Sequence, residues 1–200
     1  KKLYKLKKPF YGINCGNIGF LMNDYTIKKI ENKVMRAKKV RINPLIIQSL
    51  TEKNLKNETI AINEISLLRQ TKQTSSLQIK INNKVFLKNL IGDGIILSTP
   101  VGSSAYNYSV GGPILTLGSK KLSLMPISPF KPRNWKGAVI SNNKKVYIQN
   151  NKLNRKISLV ADNTEIRNIN KVKIKQSKIN IFLLFDKKRN HKKKIKLLNQ

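Results

Sequence analysis

Cysteine and long apolar runs are both scarce in this chain of 200 residues. Cys15 is the one cysteine, so an internal disulfide is excluded, and a reducing compartment is indicated. No apolar run reaches the roughly 18 residues that a transmembrane helix needs. We therefore expect a cytoplasmic protein without membrane association. The hydrophobic fraction of 40% is ordinary for a globular domain with its own core.

Acidic residues are also few: 9 are Asp or Glu, against 41 that are Lys or Arg, and the formal net charge is +32. Such a field attracts polyanions, so a basic, β-rich nucleic-acid-binding module is one hypothesis. The lysines, however, are spread along the whole chain beside abundant Asn and Ile, which indicates a coding bias more than a binding face. Aromatic residues make up only 6% and do not alternate with basic ones, which argues against a nucleic-acid partner.

Apolar periodicity predicts few helices and many strands. Ile27, Ile30 and Val34 follow helical spacing, which predicts a helix that Asp24 caps and that runs to about Lys39. Most of the chain after that point alternates or carries short apolar runs between turn residues. The fold class predicted from the pattern is therefore α+β, mainly β.

Two later segments give sharper predictions. Leu77, Ile79 and Ile81 alternate with polar residues up to Asn82–Asn83, after which apolar residues resume, so a β-hairpin is expected there. The segment Pro126–Trp135 contains three of the seven prolines and is predicted to be a structured loop.

The segment from Gly92 to Leu115 carries the strongest functional signal. An apolar run, Ile95–Leu97, leads into Ser98-Thr99-Pro100 and then into the small residues Gly102–Ala105 and Tyr106. Small side chains let a ligand approach the main chain, hydroxyls donate to its oxygens, and Tyr106 offers an aromatic face. This pattern is typical of a buried strand that ends at a polar ligand.

The apolar run from Ile60 to Leu68 predicts a strand, and Asn63 and Glu64 interrupt this run. Asn and Glu are depleted in strands, and a buried carboxylate is costly without a partner. One interpretation is that Glu64 faces solvent on a half-exposed strand. The other is a pair that binds ligand hydroxyls, because Asn both donates and accepts hydrogen bonds while Glu accepts them.

Four segments in the same order resemble the NAD kinase family. The family's DG-x-x-x-STP-x-GS-[ST]-AY block with a later glycine pair matches Asp93–Pro113, and its NE pair matches Asn63–Glu64. Its G-[IM]-N-x-G-x-x-GFL segment matches Gly12–Leu21, and its PISPF-[KR]-PR segment matches Pro126–Arg133. The first of these blocks is the most specific.

The resemblance implies an NAD-kinase-like fold, with the end of an N-terminal α/β domain followed by a β-rich, β-sandwich-like C-terminal domain. On this expectation residues 1–36 are the remnant of the first domain and residues 37–170 are the β-rich NAD-binding domain. Residues 171–200 are the final strand and a basic tail that returns to the first domain.

The resemblance also implies a reaction and its ligands. Family members transfer the terminal phosphoryl group of ATP, or in some cases of polyphosphate, to the 2′-hydroxyl of the adenosine ribose of NAD. Mg²⁺ or another divalent metal is expected with these substrates. A homo-oligomer, either dimer or tetramer, is expected because family members commonly associate.

The residues implied for binding NAD and the nucleotide fall into three groups. Asn63 and Glu64 are expected on the ribose or nicotinamide side, with Asp162 as a second acidic contact. The nucleotide pocket is expected to be lined by residues of the glycine and hydroxyl block. Those residues are Asp93, Ser104, Ala105, Tyr106 and Ser109, and Phe20 is expected to form a wall of the pocket.

One family motif is absent from these 200 residues. NAD kinases carry GGDG upstream of the glycine segment, and its Asp is the proposed base, so no catalytic residue is assigned here. The expectation is a truncated chain, inactive by itself. A lipid or diacylglycerol kinase is a second alternative, because its catalytic region is distantly similar.

Overall fold

The computed structural model describes residues 2–16, 21–25 and 29–187, and this part of the chain is mainly β, as expected. It contains two short α-helices, α1 (Ile30–Arg36) and α2 (Tyr106–Ser109), and two 3-10 turns. The strands are β1 (Lys38–Ile42), β2 (Leu45–Thr51), β3 (Lys56–Ala61), β4 (Glu64–Arg69), β5 (Ser75–Ile81), β6 (Lys84–Ser98), β7 (Lys121–Lys131), β8 (Ala138–Ser141), β9 (Val146–Asn150), β10 (Ile157–Ala161), β11 (Thr164–Ile166), β12 (Ile169–Gln176) and β13 (Ile181–Phe185). No helix among these residues is long and apolar enough to cross a membrane.

The chain divides into two compact units, one of Lys1–Asn43 with Ile179–Gln200 and the other of Pro44–Lys178. In the described part of the first unit, β1 and β13 pair as an antiparallel ribbon. Asn23 is buried beside it, donates to the carbonyl of Leu184 and accepts from the N–H of Asp186. The domain boundaries expected after residues 36 and 170 stay predictions.

The second unit is built around one large antiparallel sheet, in which the strand order is β11-β10-β4-β6-β5-β9-β12-β2-β3. β7 pairs with β6, and β8 pairs with β7. β10 also lies close to β3 and β12, so the sheet curls back on itself. Its inner face encloses the main apolar core, which β2 enters through Leu45 and Ile47 while Gln48 points outward.

The position of β6 in the sheet explains the unbroken apolar run Ile95–Leu97 that precedes Ser98-Thr99-Pro100. Ile95 and Leu97 belong to the main core, whereas Ile96 packs with Met125 and Ile127 in a second cluster that also includes Val110. Both faces of this part of β6 are therefore covered, and alternation gives way to an unbroken apolar run. The segment after Ser98 packs over the face of β6 opposite the main core.

The hairpin predicted at Asn82–Asn83 is confirmed. β5 and β6 pair in antiparallel fashion, and the two asparagines between them have φ of 48° and 68°. Two successive positive φ angles are typical of the type I′ turn, which suits the twist of a hairpin. Asparagine tolerates this conformation better than most residues.

The helix predicted from Asp24 to about Lys39 ends earlier than expected, so its predicted C-terminal end is wrong. α1 ends at Arg36, and Ala37 is extended, because Lys38 already pairs with Phe185 in the β1–β13 ribbon. The residue that precedes α1 is Lys29, which makes no side-chain cap, so Asp24 does not cap it. Long-range pairing overrides helical periodicity here.

Two strand predictions also need correction. The run from Thr59 to Leu68 is not one strand, because β3 and β4 are separated by a turn at residues 62–63. The segment expected to be a loop from Pro126 is largely strand, since β7 continues to Lys131. β8 covers β7 only over Lys121–Leu124, so the prolines lie on an outer edge where no N–H is needed.

Candidate functional site

The site begins with the turn that carries Asn63 and Glu64. The carboxylate of Asp162 accepts hydrogen bonds from the backbone N–H groups of Ile62 at 2.9 Å, Asn63 at 2.9 Å and Glu64 at 3.3 Å. Asp162 itself lies in the left-handed region with φ of 53°, in the turn between β10 and β11. One carboxylate therefore fixes three consecutive amides and breaks the strand at this point.

Thr99 joins this turn to the segment that follows β6. Its backbone N–H donates to the carbonyl of Asn63 at 2.9 Å, and its hydroxyl donates to the carbonyl of Ile62 at 2.7 Å. The same hydroxyl accepts from the N–H of Val101 and, at 3.3 Å, of Gly102. The threonine thus holds the start of the next segment against the Asn63–Glu64 turn.

Gly102 is where the two segments touch. A Cβ placed on Gly102 would lie 2.5 Å from the backbone carbonyl carbon and oxygen of Asn63 and 2.5 Å from Oε2 of Glu64. Real Cβ atoms do not approach so closely, so only glycine fits here. The two places named from the sequence, the NE pair and the glycine and hydroxyl block, are in direct contact.

Glu64 occupies an unusual electrostatic position. Its Oε2 is buried and has no hydrogen-bond partner among the described residues. Burial raises the pKa of the Glu64 carboxyl to about 7, and the nearby negative charge of Asp162 acts in the same direction. Near neutral pH this carboxyl is therefore divided between a form that donates and a form that only accepts hydrogen bonds.

The raised pKa of Glu64 predicts a pH dependence of stability. From its ordinary pKa of 4.5 up to about 7, the folded protein holds a proton that the unfolded chain has lost. Because the folded state binds more protons, the free energy of unfolding falls as pH rises through this window and then levels off. Urea unfolding at intervals from pH 5 to 8 should show a steeper fall for the native chain than for Glu64→Gln. Equal slopes would show that Glu64 does not titrate in this window.

Ser103 and Asn107 hold the rest of the segment in shape. The Ser103 hydroxyl donates to the carbonyl of Pro100 at 2.8 Å and accepts from the N–H of Leu115 at 2.9 Å. Asn107 is fully buried and donates to the carbonyls of Ser103 and Pro113. These bonds close the segment into a compact loop over β6.

The loop presents four of the predicted residues toward solvent. Ser104 is half-buried, and Ala105, Tyr106 and Ser109 are exposed. Tyr106 is the first residue of α2 and keeps 38% of its surface accessible. A hydroxyl, a small side chain and an aromatic face therefore stand together in the loop that follows the contact at Gly102.

Asp93 lies further along β6, where it forms an ion pair with Arg69 of β4. Arg69 is also fixed by a hydrogen bond from Nη1 to the carbonyl of Thr71 at 2.6 Å. Burial raises the pKa of Tyr106, and the charge of Asp93 raises it further, so the two side chains share one electrostatic environment.

The structure brings most of the predicted residues together within the second unit. Asn63, Glu64 and Asp162 share one hydrogen-bonded turn, and the loop from Ser104 to Ser109 follows the contact at Gly102. The Asp162 carboxylate accepts the backbone N–H groups of this turn and so holds Asn63 and Glu64 in place, and its expected contact with the ligand stays a prediction. Phe20 lies outside the described residues.

Four residues that hold the site together were missed as site residues: Thr99, Ser103, Asn107 and Arg69. The sequence contained a signal for Thr99. A hydroxylic residue that follows a strand and precedes Pro-x-Gly can accept hydrogen bonds from the free backbone N–H groups of the next turn. Arg69 gave no local signal, because its partner Asp93 is 24 residues away in sequence.

Comparisons with known proteins identify the family of this chain. A family model described as the ATP-NAD kinase C-terminal domain matches residues 62–188. The NAD kinase of Xylella fastidiosa strain Temecula1 is 41% identical over 190 residues, which cover 94% of this chain and 73% of that protein. The NAD kinase of Brucella suis biovar 1 is 40% identical over 184 residues, which cover 90% of this chain and 71% of that protein.

Two solved structures share the fold. A yeast NADH kinase complexed with NADH superposes with a TM-score of 0.85 at 23% identity, over 96% of this chain and 59% of that one. This chain therefore spans somewhat over half the length of the yeast protein. An NAD kinase from Archaeoglobus fulgidus in complex with ATP gives a TM-score of 0.78 at 24% identity, over 94% of this chain and 74% of that one.

The curled antiparallel sheet, with its glycine and hydroxyl loop, places the chain in the class of kinases with an NAD-kinase-like C-terminal domain. The family match and the relatives near 40% identity then identify it further: the chain belongs to the NAD kinase family. The predicted NAD-kinase-like fold is confirmed, and the nucleic-acid module and the lipid kinase receive no support.

Proposed function

We propose that this chain binds NAD and takes part in transferring the terminal phosphoryl group of ATP, or of polyphosphate, to the 2′-hydroxyl of the adenosine ribose, giving NADP. The observation that carries the proposal is the direct contact of the Asn63–Glu64 turn with Gly102. Relatives near 40% identity that are named NAD kinases support it.

In this proposal the chain's own residues bind and orient the dinucleotide. Asn63 and Glu64 provide an amide and a carboxyl for ribose hydroxyls, and the three N–H bonds to Asp162 hold them in place. Ser104 and Ser109 offer hydroxyls, Ala105 leaves room for close approach, and Tyr106 offers its ring. Phosphoryl transfer depends mainly on such positioning and on charge neutralisation.

A divalent metal fits this proposal as part of the nucleotide complex. The described residues contain no group of three or more Asp, Glu, His or Cys side chains that could hold an ion by themselves. Mg²⁺ in kinase sites is commonly held by one or two carboxylates together with substrate phosphates, whose charge it neutralises. Glu64 and Asp93 are the carboxylates of this site that are not committed to backbone amides.

Two further expectations belong to the same proposal. We propose a homo-oligomer, because three of the predicted residues, Ala105, Tyr106 and Ser109, are exposed on a surface that a second copy could complete. We also propose a cytoplasmic location, which the exposed free thiol of Cys15 supports.

Tyr106→Ala should test the aromatic contact. If the ring stacks on a base of NAD, its loss is expected to weaken binding by about 1–3 kcal/mol, or roughly 5- to 150-fold, measured by titration calorimetry. Tyr106→Phe keeps the ring and should bind within about threefold of the native chain. Native affinity in Tyr106→Ala would remove Tyr106 from the binding surface.

A further inference from the structure

The outer face of the sheet carries a groove that is separate from the Asn63–Glu64 site. Its volume is about 590 Å³, and it runs across β5, β9, β12, β2 and β3. None of the residues assigned to the NAD site lines it. We refer to it as the outer groove and define it by Lys56, Lys80, Tyr147, Lys171 and Lys173.

Strand register builds the groove from two rows of side chains. In the first row, Lys80 is opposite Tyr147, Tyr147 is opposite Lys173, and Lys173 is opposite Gln48. Residues opposite each other share a face of the sheet, so all four side chains project to the same side. The core-facing neighbours, Val146 and Val172 among them, point the other way.

The second row lies two residues along the same strands. Gln78 is opposite Gln149, Gln149 is opposite Lys171, Lys171 is opposite Leu50, and Leu50 is opposite Lys56. Neighbouring strands are about 4.8 Å apart, and same-face residues of one strand are about 7 Å apart. Consecutive lysines along the groove are therefore about 7–10 Å apart, and the outermost two, Lys80 and Lys56, are about 20 Å apart. This spacing suits an extended ligand with several negative charges.

The charge of the residues that line the outer groove indicates the kind of ligand. Four lysines line the outer groove, and none of the residues that line it is acidic. Glu58 lies opposite the lining residue Gln48 on the same face and accepts a hydrogen bond from Gln48 Nε2 at 2.9 Å, so one carboxylate borders the groove. Four clustered ammonium groups repel one another, and a multiply charged anion relieves that repulsion.

Tyr147 adds a second element of recognition. It is half-buried between Lys80 and Lys173, and Lys173 Nζ lies 5.9 Å from the centre of its ring. An aromatic ring set among lysines on a sheet face is a surface on which bases stack. Gln78 and Gln149 beside it both donate and accept hydrogen bonds, as the polar edge of a base requires.

We propose that the outer groove is a second binding site, for a nucleotide that carries two or more phosphates. The lysines hold the phosphates, Tyr147 meets the base, and the glutamines bind its edge or the sugar. The volume of the groove lies in the range of small-molecule sites, so a single nucleotide fits it better than a protein segment. The proposal does not depend on NAD binding at Asn63 and Glu64.

Calorimetry with ATP tests the outer groove, both in the native chain and in the Tyr106→Ala chain, in which weaker binding at the main site is expected. The double variant Lys80→Gln, Lys173→Gln should lower the remaining ATP affinity at least tenfold, and Tyr147→Leu should lower it about fivefold or more. The matched control is Lys152→Gln, Lys156→Gln, which removes the same charge at exposed positions outside the groove. It should bind ATP within about twofold of its parent.

Four outcomes would overturn the proposal. An equal loss in the control pair would mean diffuse attraction by the net charge. Inorganic tripolyphosphate binding as tightly as ATP, unaffected by Tyr147→Leu, would remove the base from the recognition. A single-stranded hexanucleotide that binds far more tightly than ATP, with a steep salt dependence, would make the groove a nucleic-acid surface. Dimers in sedimentation analysis that the groove variants abolish would make it an interface between copies.

Discussion

Replacing Asp162 with alanine is expected to lower the free energy of unfolding by about 3 kcal/mol and NAD affinity at least tenfold. Both losses have one cause, since the Asp162 carboxylate accepts the backbone N–H groups of Ile62, Asn63 and Glu64. Without it, half-buried amides lose their acceptor and the Asn63–Glu64 turn is free to shift. Urea unfolding measures the first effect, and titration calorimetry measures the second.

Two further variants at this position separate the carboxylate from the backbone. Asp162 has φ of 53°, where a non-glycine residue without a polar side chain is strained by about 1–2 kcal/mol. Asp162→Gly removes the carboxylate without that strain, so it should be more stable than the alanine variant but should bind NAD equally poorly. Asp162→Asn keeps one acceptor oxygen and should fall between native and alanine. A loss below about 1 kcal/mol in the alanine variant would show that the three bonds do not hold the turn.

Gly102→Ala is expected to have the second large effect. The added Cβ would lie 2.5 Å from the Asn63 carbonyl and from Glu64 Oε2, so the loop and the turn must move apart. Overpacking of this kind typically costs about 1–3 kcal/mol. Because the two segments are proposed to bind one ligand together, NAD affinity should fall at least thirtyfold.

The matched control for this change is Gly118→Ala. Gly118 has φ of 82°, but a Cβ there would meet nothing within 4 Å. It should therefore lose about 1 kcal/mol of stability through backbone strain and keep its affinity for NAD. Native NAD affinity in Gly102→Ala, or an equal loss in Gly118→Ala, would contradict the proposed role of the contact.

Local chemistry was enough to predict some elements of this fold. The hairpin at Asn82–Asn83 follows from two adjacent residues that tolerate positive φ, and the turn needs no distant partner. The functional block could be recognised because its small and hydroxylic residues are contiguous in sequence.

Distant partners explain what the sequence did not reveal. The break between β3 and β4 depends on Asp162, which lies about 100 residues from Ile62. α1 ends early because Lys38 pairs with Phe185 of β13. The continuation of β7 through Pro126 and Pro129 depends on where β8 stops covering it. None of these causes lies within the window that a periodicity argument uses.

The candidate site also combines features that the local sequence revealed with features that depend on distant partners. Asn63, Glu64 and the loop residues through Ser109 were named from the sequence, whereas the contact at Gly102 that joins them comes from tertiary packing. Asp162 was expected to meet the ligand, and its three backbone hydrogen bonds show that it also holds the Asn63–Glu64 turn in place. Direct ligand contact by these residues remains a proposal.

A crystal structure of the chain grown with NAD tests the central claim most directly. We predict the dinucleotide beside the Asn63–Glu64 turn, with a ribose hydroxyl within hydrogen-bonding distance of Asn63 or Glu64 and a ring against Tyr106. NAD bound only elsewhere, for instance in the outer groove, with Asn63, Glu64 and Tyr106 all free of it, would contradict the account.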